Sequence, residues 1–338
     1  MPIHDKPRIK KRRKSARIFI LLVCVLLIIA VILFLSIPLL FGNDTDTGGS
    51  KDSSSQPDIT TTAQTTAALP TLNVELTVAA PRIYAYDTVS GRVLVSRAEH
   101  EKCSPASMTK MMTAIVAMKY CNDDDVFTVG DELSFVEKGS SSAYLQKGYK
   151  LGLSAMMDAM MLTSGNDAAY TVAANVGRKL LNNPDAGIYE ILLRFIDEMN
   201  STAKEIGALD TRFLNPDGMY VAGHYSTAYD MAIIAKKARE YPDIAASMKK
   251  PSASHKLISG QDVTYISTNQ LVNPQSKNYF PGANGLKTGS LNEAGFCLAA
   301  SATRDETDII VIIMGSESND SRFVEAKEIL TKAFEQTR

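Results

Sequence analysis

Twenty-four consecutive residues, Ile18 to Phe41, form an apolar run interrupted only by Ser36 and Pro38. As a helix rising ~1.5 Å per residue the run reaches about 36 Å, against a bilayer hydrocarbon core of ~30 Å. It therefore reads as a transmembrane segment. The residues before it, 1–17, hold eight lysines and arginines against the single Asp5, a net charge of +7 that leaves −8 on the rest of the chain. By the positive-inside rule this basic head stays in the cytoplasm and everything after Phe41 lies outside. A cleaved signal peptide is the alternative. Its apolar region usually spans only ~7–15 residues before a small-residue cleavage site, and Pro38-Leu39-Leu40-Phe41 is a poor context for one, so the uncleaved anchor fits better. A mildly acidic body gives no reason to expect nucleic-acid binding.

Residues 42–78 are rich in Ser, Thr, Gly and Asp, as in Ser53-Ser54-Ser55 and Thr60-Thr61-Thr62, and have little to bury. They read as a flexible linker between the span at 18–41 and a folded domain at 79–338. In that domain, 82–87 and 92–96 flank a turn and predict a β-hairpin; 295–302 and 308–314 predict a second. Helical stretches fall between them at 108–120, 154–162, 167–181, 187–206 and 226–239. A terminal helix is expected over 321–335, with Phe323, Ala326, Ile329, Leu330 and Phe334 on one stripe. Strands at both ends with helices between them do not make an alternating βαβ fold. They predict the α+β class, one antiparallel sheet covered by helices.

Cys24 lies in the apolar run, leaving Cys103, Cys121 and Cys297, an odd number without the paired spacing of a zinc site. No metal is expected. Cys103 and Cys121 are the pair left open for a disulfide.

Three short patterns carry candidate chemistry. Ser107-Met108-Thr109-Lys110 places a lysine one helical turn from a serine hydroxyl, where an amine can take its proton. The same spacing at Ser201/Lys204 and Ser247/Lys250 lies in charged surroundings, whereas Ser107 opens the apolar run Met111, Met112, Ile115, Val116. Alone, Ser107 reads equally as an ordinary helix cap. Ser164-Gly165-Asn166 sits between two predicted helices, where a hydroxyl and an amide can relay a proton and bind a substrate amide. Lys287-Thr288-Gly289 occurs once, at a predicted strand edge, with Ser290 next to it. There Gly289 lets a substrate backbone approach, Thr288 can bond a carboxylate, and the Lys287 charge would lower the pKa of a nearby Lys110.

In the order S-x-x-K, S-x-N, K-T-G, these patterns resemble the signature of penicillin-binding proteins and serine β-lactamases. Pro105-Ala106-Ser107-Met108-Thr109-Lys110-Met111-Met112-Thr113, Leu162-Thr163-Ser164-Gly165-Asn166-Asp167 and Gly285-Leu286-Lys287-Thr288-Gly289-Ser290 look like the low-molecular-mass D-alanyl-D-alanine carboxypeptidases. So do Phe213-Leu214-Asn215-Pro216-Asp217-Gly218-Met219 and the segment from His224 to Ala232; together the similarity covers about residues 79–315. The resemblance implies a β-lactamase/DD-peptidase-like fold and a penicillin-sensitive serine hydrolase of the bacterial cell membrane, acting on the D-Ala-D-Ala ends of peptidoglycan stem peptides. It implies Ser107 as acylated nucleophile, Lys110 as its base, Ser164 as proton relay and Asn166 as substrate ligand. Lys287 and Thr288 would hold the terminal carboxylate beside Gly289, and the backbone N–H groups of Ser107 and Ser290 would form the oxyanion hole. β-Lactams are the implied inhibitors, and no cofactor is needed. His224 and Asp230 match a helix opening of the family and not a Ser–His–Asp triad.

Two departures qualify the resemblance. Family members commonly continue into a small β-domain and an amphipathic membrane helix, whereas this chain runs only about 50 residues past Lys287 and is expected to use its N-terminal span. Many relatives carry an arginine ahead of K-T-G for the carboxylate, and none stands around Thr268-Asn269-Gln270-Leu271. A transpeptidase or endopeptidase remains open, as does a non-catalytic wall-binding protein on the same scaffold. A class A β-lactamase fits less well, because Glu198 lacks the E-x-x-x-N spacing of the deacylating glutamate.

Overall fold

The structure is a computed structural model and describes residues 76–336 except Pro184. The basic head, the apolar run 18–41 and nearly all of the linker lie outside the described residues. Among the described residues no helix is long and apolar enough to cross a membrane.

In chain order the elements are β1 (Arg82–Asp87), β2 (Val93–Arg97), a 3₁₀ turn (Ala106–Thr109), α1 (Lys110–Tyr120), β3 (Val126–Thr128) and β4 (Lys150–Gly152). Four helices follow: α2 (Leu153–Met161), α3 (Asn166–Leu181), α4 (Ile188–Glu205) and α5 (Ala228–Arg239). Next come α6 (Pro242–Lys249), β5 (Ser252–Lys256), β6 (Asp262–Ile266), β7 (Ala283–Leu291), β8 (Gly295–Arg304), β9 (Thr307–Ser316) and α7 (Ser321–Gln336). Both predicted hairpins and all the predicted helices are present. The hairpin β5–β6, helix α6 and strand β7 are additions to the sequence reading.

The main sheet is antiparallel with order β2-β1-β9-β8-β7, so the chain's first and last strands meet at its centre. Its faces are assigned residue by residue, as the pleat requires. Along β9, Ile309, Val311 and Ile313 pack with Ile83, Ala85 and the α7 stripe Phe323, Ala326, Ile329, Leu330 and Phe334. Ile310, Ile312 and Met314 point the other way, into a larger core with the apolar residues of α1 to α5. Covered on both faces, β9 reads Ile-Ile-Val-Ile-Ile-Met with no polar alternation. Thr77 bonds Glu328 of α7 through both its N–H and its hydroxyl at 2.6 Å, and Val78 is buried, so the segment just before position 79 is already part of this packing.

This arrangement brings two walls together. One is the 3₁₀ turn with the start of α1. The other is β7, the sheet's edge strand, whose outward backbone groups have no strand partner.

Candidate active site

Ser107 lies in the 3₁₀ turn, after Ala106 at φ +47°, a strained conformation for a non-glycine residue and one that clusters at functional sites. The turn feeds directly into α1, whose first residue is Lys110. That lysine is fully buried, and its Nζ lies 3.0 Å from Ser107 Oγ, 2.6 Å from Asn166 Oδ1 and 2.8 Å from the carbonyl of Asp217. Three acceptors fix the amine in place. The predicted pairing of Ser107 with Lys110 is therefore present as a side-chain contact, whereas Ser201/Lys204 and Ser247/Lys250 make no side-chain hydrogen bond to each other among the described residues.

The second pattern sits where the sequence placed it, between α2 and α3. Ser164 adopts φ +60° and is buried, and its hydroxyl makes no hydrogen bond among the described residues. Asn166 opens α3 and accepts from Lys110, while its backbone N–H donates to Ser141 O at 2.8 Å and ties in the opposite rim.

The third pattern lies on a strand edge, inside β7, which has its own place at the side of the sheet. Gly289 has a different reason from the one its position suggested. A Cβ there would stand 3.0 Å from Ala106 Cβ, 3.1 Å from Pro105 O and 3.2 Å from Ser107 N. The missing side chain makes room for the turn that carries Ser107, and only through that contact does the strand edge come within reach of the nucleophile. Lys287 is wholly buried and donates to the carbonyl of Thr288 at 3.0 Å, the sole side-chain hydrogen bond it makes among the described residues. Thr288 Oγ1 pairs at 2.6 Å with Thr268 Oγ1, a hydroxyl in the stretch where an arginine was sought.

Burial governs both lysines. It lowers Lys110 to about 8, against the pull of Asp217 and Asp167, and pushes Lys287 well below the ordinary lysine range, helped by the charges of Lys110 and Arg322. Lys110 is lowered as expected, but by its burial and not by the charge of Lys287. Asp217 and Asp167 oppose the fall at Lys110, whereas the charges beside Lys287 add to its own.

Between the walls lies a cleft of about 580 Å³ lined by Ser107, Asn166 and Ser290, with Glu137, Glu293 and Tyr220 among its rim residues. Lys110, Lys287 and Thr288 sit buried behind this surface. Among the described residues no cluster of His, Cys, Asp and Glu has the makings of a metal site, and Cys103, Cys121 and Cys297 are all free thiols.

His224 is buried and neutral, its pKa lowered to about 4 by desolvation. Its Nδ1 accepts from Leu214 N at 3.2 Å, so Nε2 carries the proton and donates to Thr109 Oγ1 at 3.0 Å. Asp230 accepts from Asp210 N and Thr211 Oγ1 at the head of α5. Neither touches Ser107. Glu198 bonds Lys119 and Tyr120, at the far end of α1 and about 18 Å along the helix from the nucleophile's turn, too far to serve a deacylation step there.

One contributor escaped the sequence reading. Arg322, in the first turn of α7, reaches behind β7 to the carbonyls of Gly289 at 2.8 Å and Cys297 at 3.1 Å and to Ser290 Oγ at 3.0 Å. Its signal was available: a cation at a helix N-terminus opposes the macrodipole and needs another reason to be there.

Comparison with known proteins agrees with this geometry. The family described as D-alanyl-D-alanine carboxypeptidase, peptidase S11, matches residues 64–318. The D-alanyl-D-alanine carboxypeptidase DacF of Bacillus subtilis is 31% identical over 251 residues, covering 73% of this chain and 60% of its own length. The chain thus spans about three fifths of that relative. Among solved structures, the Streptomyces K15 DD-transpeptidase superposes with a TM-score of 0.70 at 30% identity, covering 77% of this chain and 99% of that one. Penicillin-binding protein D2 of Listeria monocytogenes, in its ampicillin-bound form, gives 0.63 at 25% identity, with the same coverage of both chains. On these matches and this fold, the chain belongs to the D-alanyl-D-alanine carboxypeptidase family.

Proposed function

We propose that the protein is a serine-type D-Ala-D-Ala carboxypeptidase that removes the terminal D-Ala of peptidoglycan stem peptides through an acyl-enzyme on Ser107. The observation that carries this reading is the Lys110 amine, fully buried and 3.0 Å from Ser107 Oγ at the floor of the cleft. Lys110 Nζ takes the proton as Ser107 Oγ attacks the carbonyl carbon of the penultimate residue. The oxyanion collects its negative charge against the N–H groups of Ser107 and Ser290, each such donor being typically worth roughly 3 kcal/mol. The C–N bond then breaks, and the leaving amine takes a proton by way of Ser164. Water repeats the sequence on the ester, releasing the shortened peptide and restoring Ser107. Asn166 binds the substrate amide. Lys287 and Thr288, with Gly289 and Ser290 alongside, receive the terminal carboxylate, whose negative charge favours the ammonium form of Lys287.

β-Lactams present the same carbonyl and carboxylate and acylate the same serine; the likeness to an ampicillin-bound penicillin-binding protein supports this. Residues 18–41 anchor the enzyme as a single span with 1–17 in the cytoplasm, and the linker before Thr77 tethers the catalytic domain outside. A transfer reading has one observation behind it, the 0.70 superposition on a protein titled a DD-transpeptidase, and it differs only in using an amine in place of water as the second acceptor.

With Lys110 at about 8, roughly a tenth of it is free base at pH 7, so the acylation rate should climb as pH rises through 8 and then level off. Free D-Ala released from a peptide ending in D-Ala-D-Ala tests the function. Release by the wild type and none by Ser107→Ala is expected; equal release by both would overturn the reading.

A further inference from the structure

Two carboxylates pull on Lys110, and they differ in what else they do. Asp167 is consumed locally: its oxygens accept from Ser142 Oγ at 2.6 Å and from the backbone N–H groups of Ala143, Leu145 and Ala168, each at 2.9 Å. Four donors spread that charge over its own loop. Asp217 is 1% exposed; among the described residues its Oδ1 accepts only from Met219 N at 3.1 Å, and its Oδ2 has no hydrogen-bond partner. A buried carboxylate oxygen left bare normally costs ~1–3 kcal/mol or more, so its retention needs an explanation.

The loop holding Asp217 is clamped. Asn215 accepts from Gly218 N at 2.8 Å and donates to Met219 O at 2.8 Å, and Thr113 donates to Pro216 O at 2.6 Å. Gly218 takes φ +87° so close to the nucleophile's turn that a Cβ would fall 1.9 Å from Ala106 O. The backbone on either side of the residue is thus held in place, and its carbonyl accepts the Lys110 ammonium at 2.8 Å.

We propose that Asp217 is a positioning residue for the acylation step: its carbonyl aims the Lys110 amine at Ser107, and its carboxylate decides how firmly that amine keeps its proton. The proposal rests on the reading of Ser107 as nucleophile and Lys110 as base. In the step, the proton moves from Ser107 Oγ to Lys110 Nζ while the Oγ–carbon bond forms, and the Asp217 carbonyl accepts from the new ammonium. The other charged or titratable groups facing this pair are Lys287 from β7, Asp167 and Tyr170 from α3, and Glu137 from the cleft rim. Burial pushes Asp217 itself upward and Lys110 holds it back. Asp217 thus makes the base stronger and scarcer together: less free amine at neutral pH, but an amine that accepts a proton more readily.

That opposition gives the test a sign that a purely structural role does not share. Asp217→Asn and Asp217→Ser both keep an acceptor for the Met219 N–H. In the full chain in detergent micelles, the rate of acylation by a chromogenic cephalosporin is followed from pH 5 to 10. Both variants should move the rising limb of the profile down by about 1 pH unit, with a plateau several-fold lower. A limb that stays at the wild-type pH while only the plateau falls overturns the proposal. Should neither variant fold, the wild type decides by carbon-13 NMR: the Asp217 carboxyl must respond at the pH where the Lys110 Cε titrates, and no such response sinks the proposal. Adduct formation by Ser107→Ala would defeat the functional reading instead; acylation of the wild type at Ser107 with an unmoved limb defeats this inference alone.

Discussion

The two walls of the cleft each bury a lysine completely, yet the lysines are provided for in opposite ways. On the helix wall, Lys110 has three acceptors and two carboxylates in its field, and burial brings it only to about 8. On the strand wall, Lys287 has one backbone carbonyl and two cations nearby, and it falls well below the lysine range. Full burial of an amine is costly in either place. The helix wall offsets that cost from within the protein and so keeps a proton that can be passed back and forth. The strand wall offers its lysine one carbonyl and no carboxylate among the described residues. A reader of burial alone would have treated the two residues as equivalent.

Replacing each lysine by methionine breaks the comparison most sharply. Lys110→Met should reduce acylation by at least about 10³-fold for peptide and penicillin alike, since it removes the base. Lys287→Met should lower kcat/KM by about 10–100-fold for a peptide with a free C-terminal carboxylate, and only a few-fold for the corresponding amide. Charge-assisted hydrogen bonds are worth roughly 1.5–3 kcal/mol. Equal losses on both substrates would mean that Lys287 does not receive the carboxylate.

The contact between the walls is sharpened by Gly289→Ala. Its methyl would meet the turn of Ser107 at 3.0–3.2 Å and force strand and turn apart by a few tenths of an ångström. Steady-state kinetics should show about a tenfold loss in kcat/KM, because catalytic geometry tolerates little displacement. Thermal denaturation should show a stability cost of at most about 3 kcal/mol.

Much of the fold was legible because its elements obey simple periods. The stripe of α7 and the apolar run of β9 announce themselves, as do the hairpins flanking 88–91 and 305–306. Strand β7 did not: Ala283-Asn284-Gly285-Leu286-Lys287-Thr288-Gly289 carries two glycines and a lysine and shows no strand period, because its constraint is close approach to another wall. The β5–β6 hairpin hid for a similar reason, since Ser252-Ala253-Ser254-His255-Lys256 is half exposed and weakly apolar. The site was legible as residue types in a characteristic order, but not as partners. Nothing local in Arg322 points 33 residues back to Gly289, and Asp217 matched a family segment without disclosing its bare oxygen.

The smallest effect belongs to the support behind the helix wall. His224 is neutral in the fold, with its pKa lowered from 6.5 to about 4, so the unfolded chain binds the extra proton first. Its contribution is intact above pH 6.5 and is lost as pH falls toward 4, an acid sensitivity of about 3 kcal/mol. His224→Gln should flatten that part of the stability curve in urea titrations at pH 7 and pH 4, with little change in activity at pH 7.

The central claim is that Ser107, set against a buried lysine, is the acylated residue. The most direct measurement is the intact mass of the full chain after incubation with a penicillin, beside Ser107→Ala. The account predicts a single stable adduct mapping to Ser107 in the wild type and none in the variant; no adduct on either protein with the drug left intact, or an adduct on both, would contradict it.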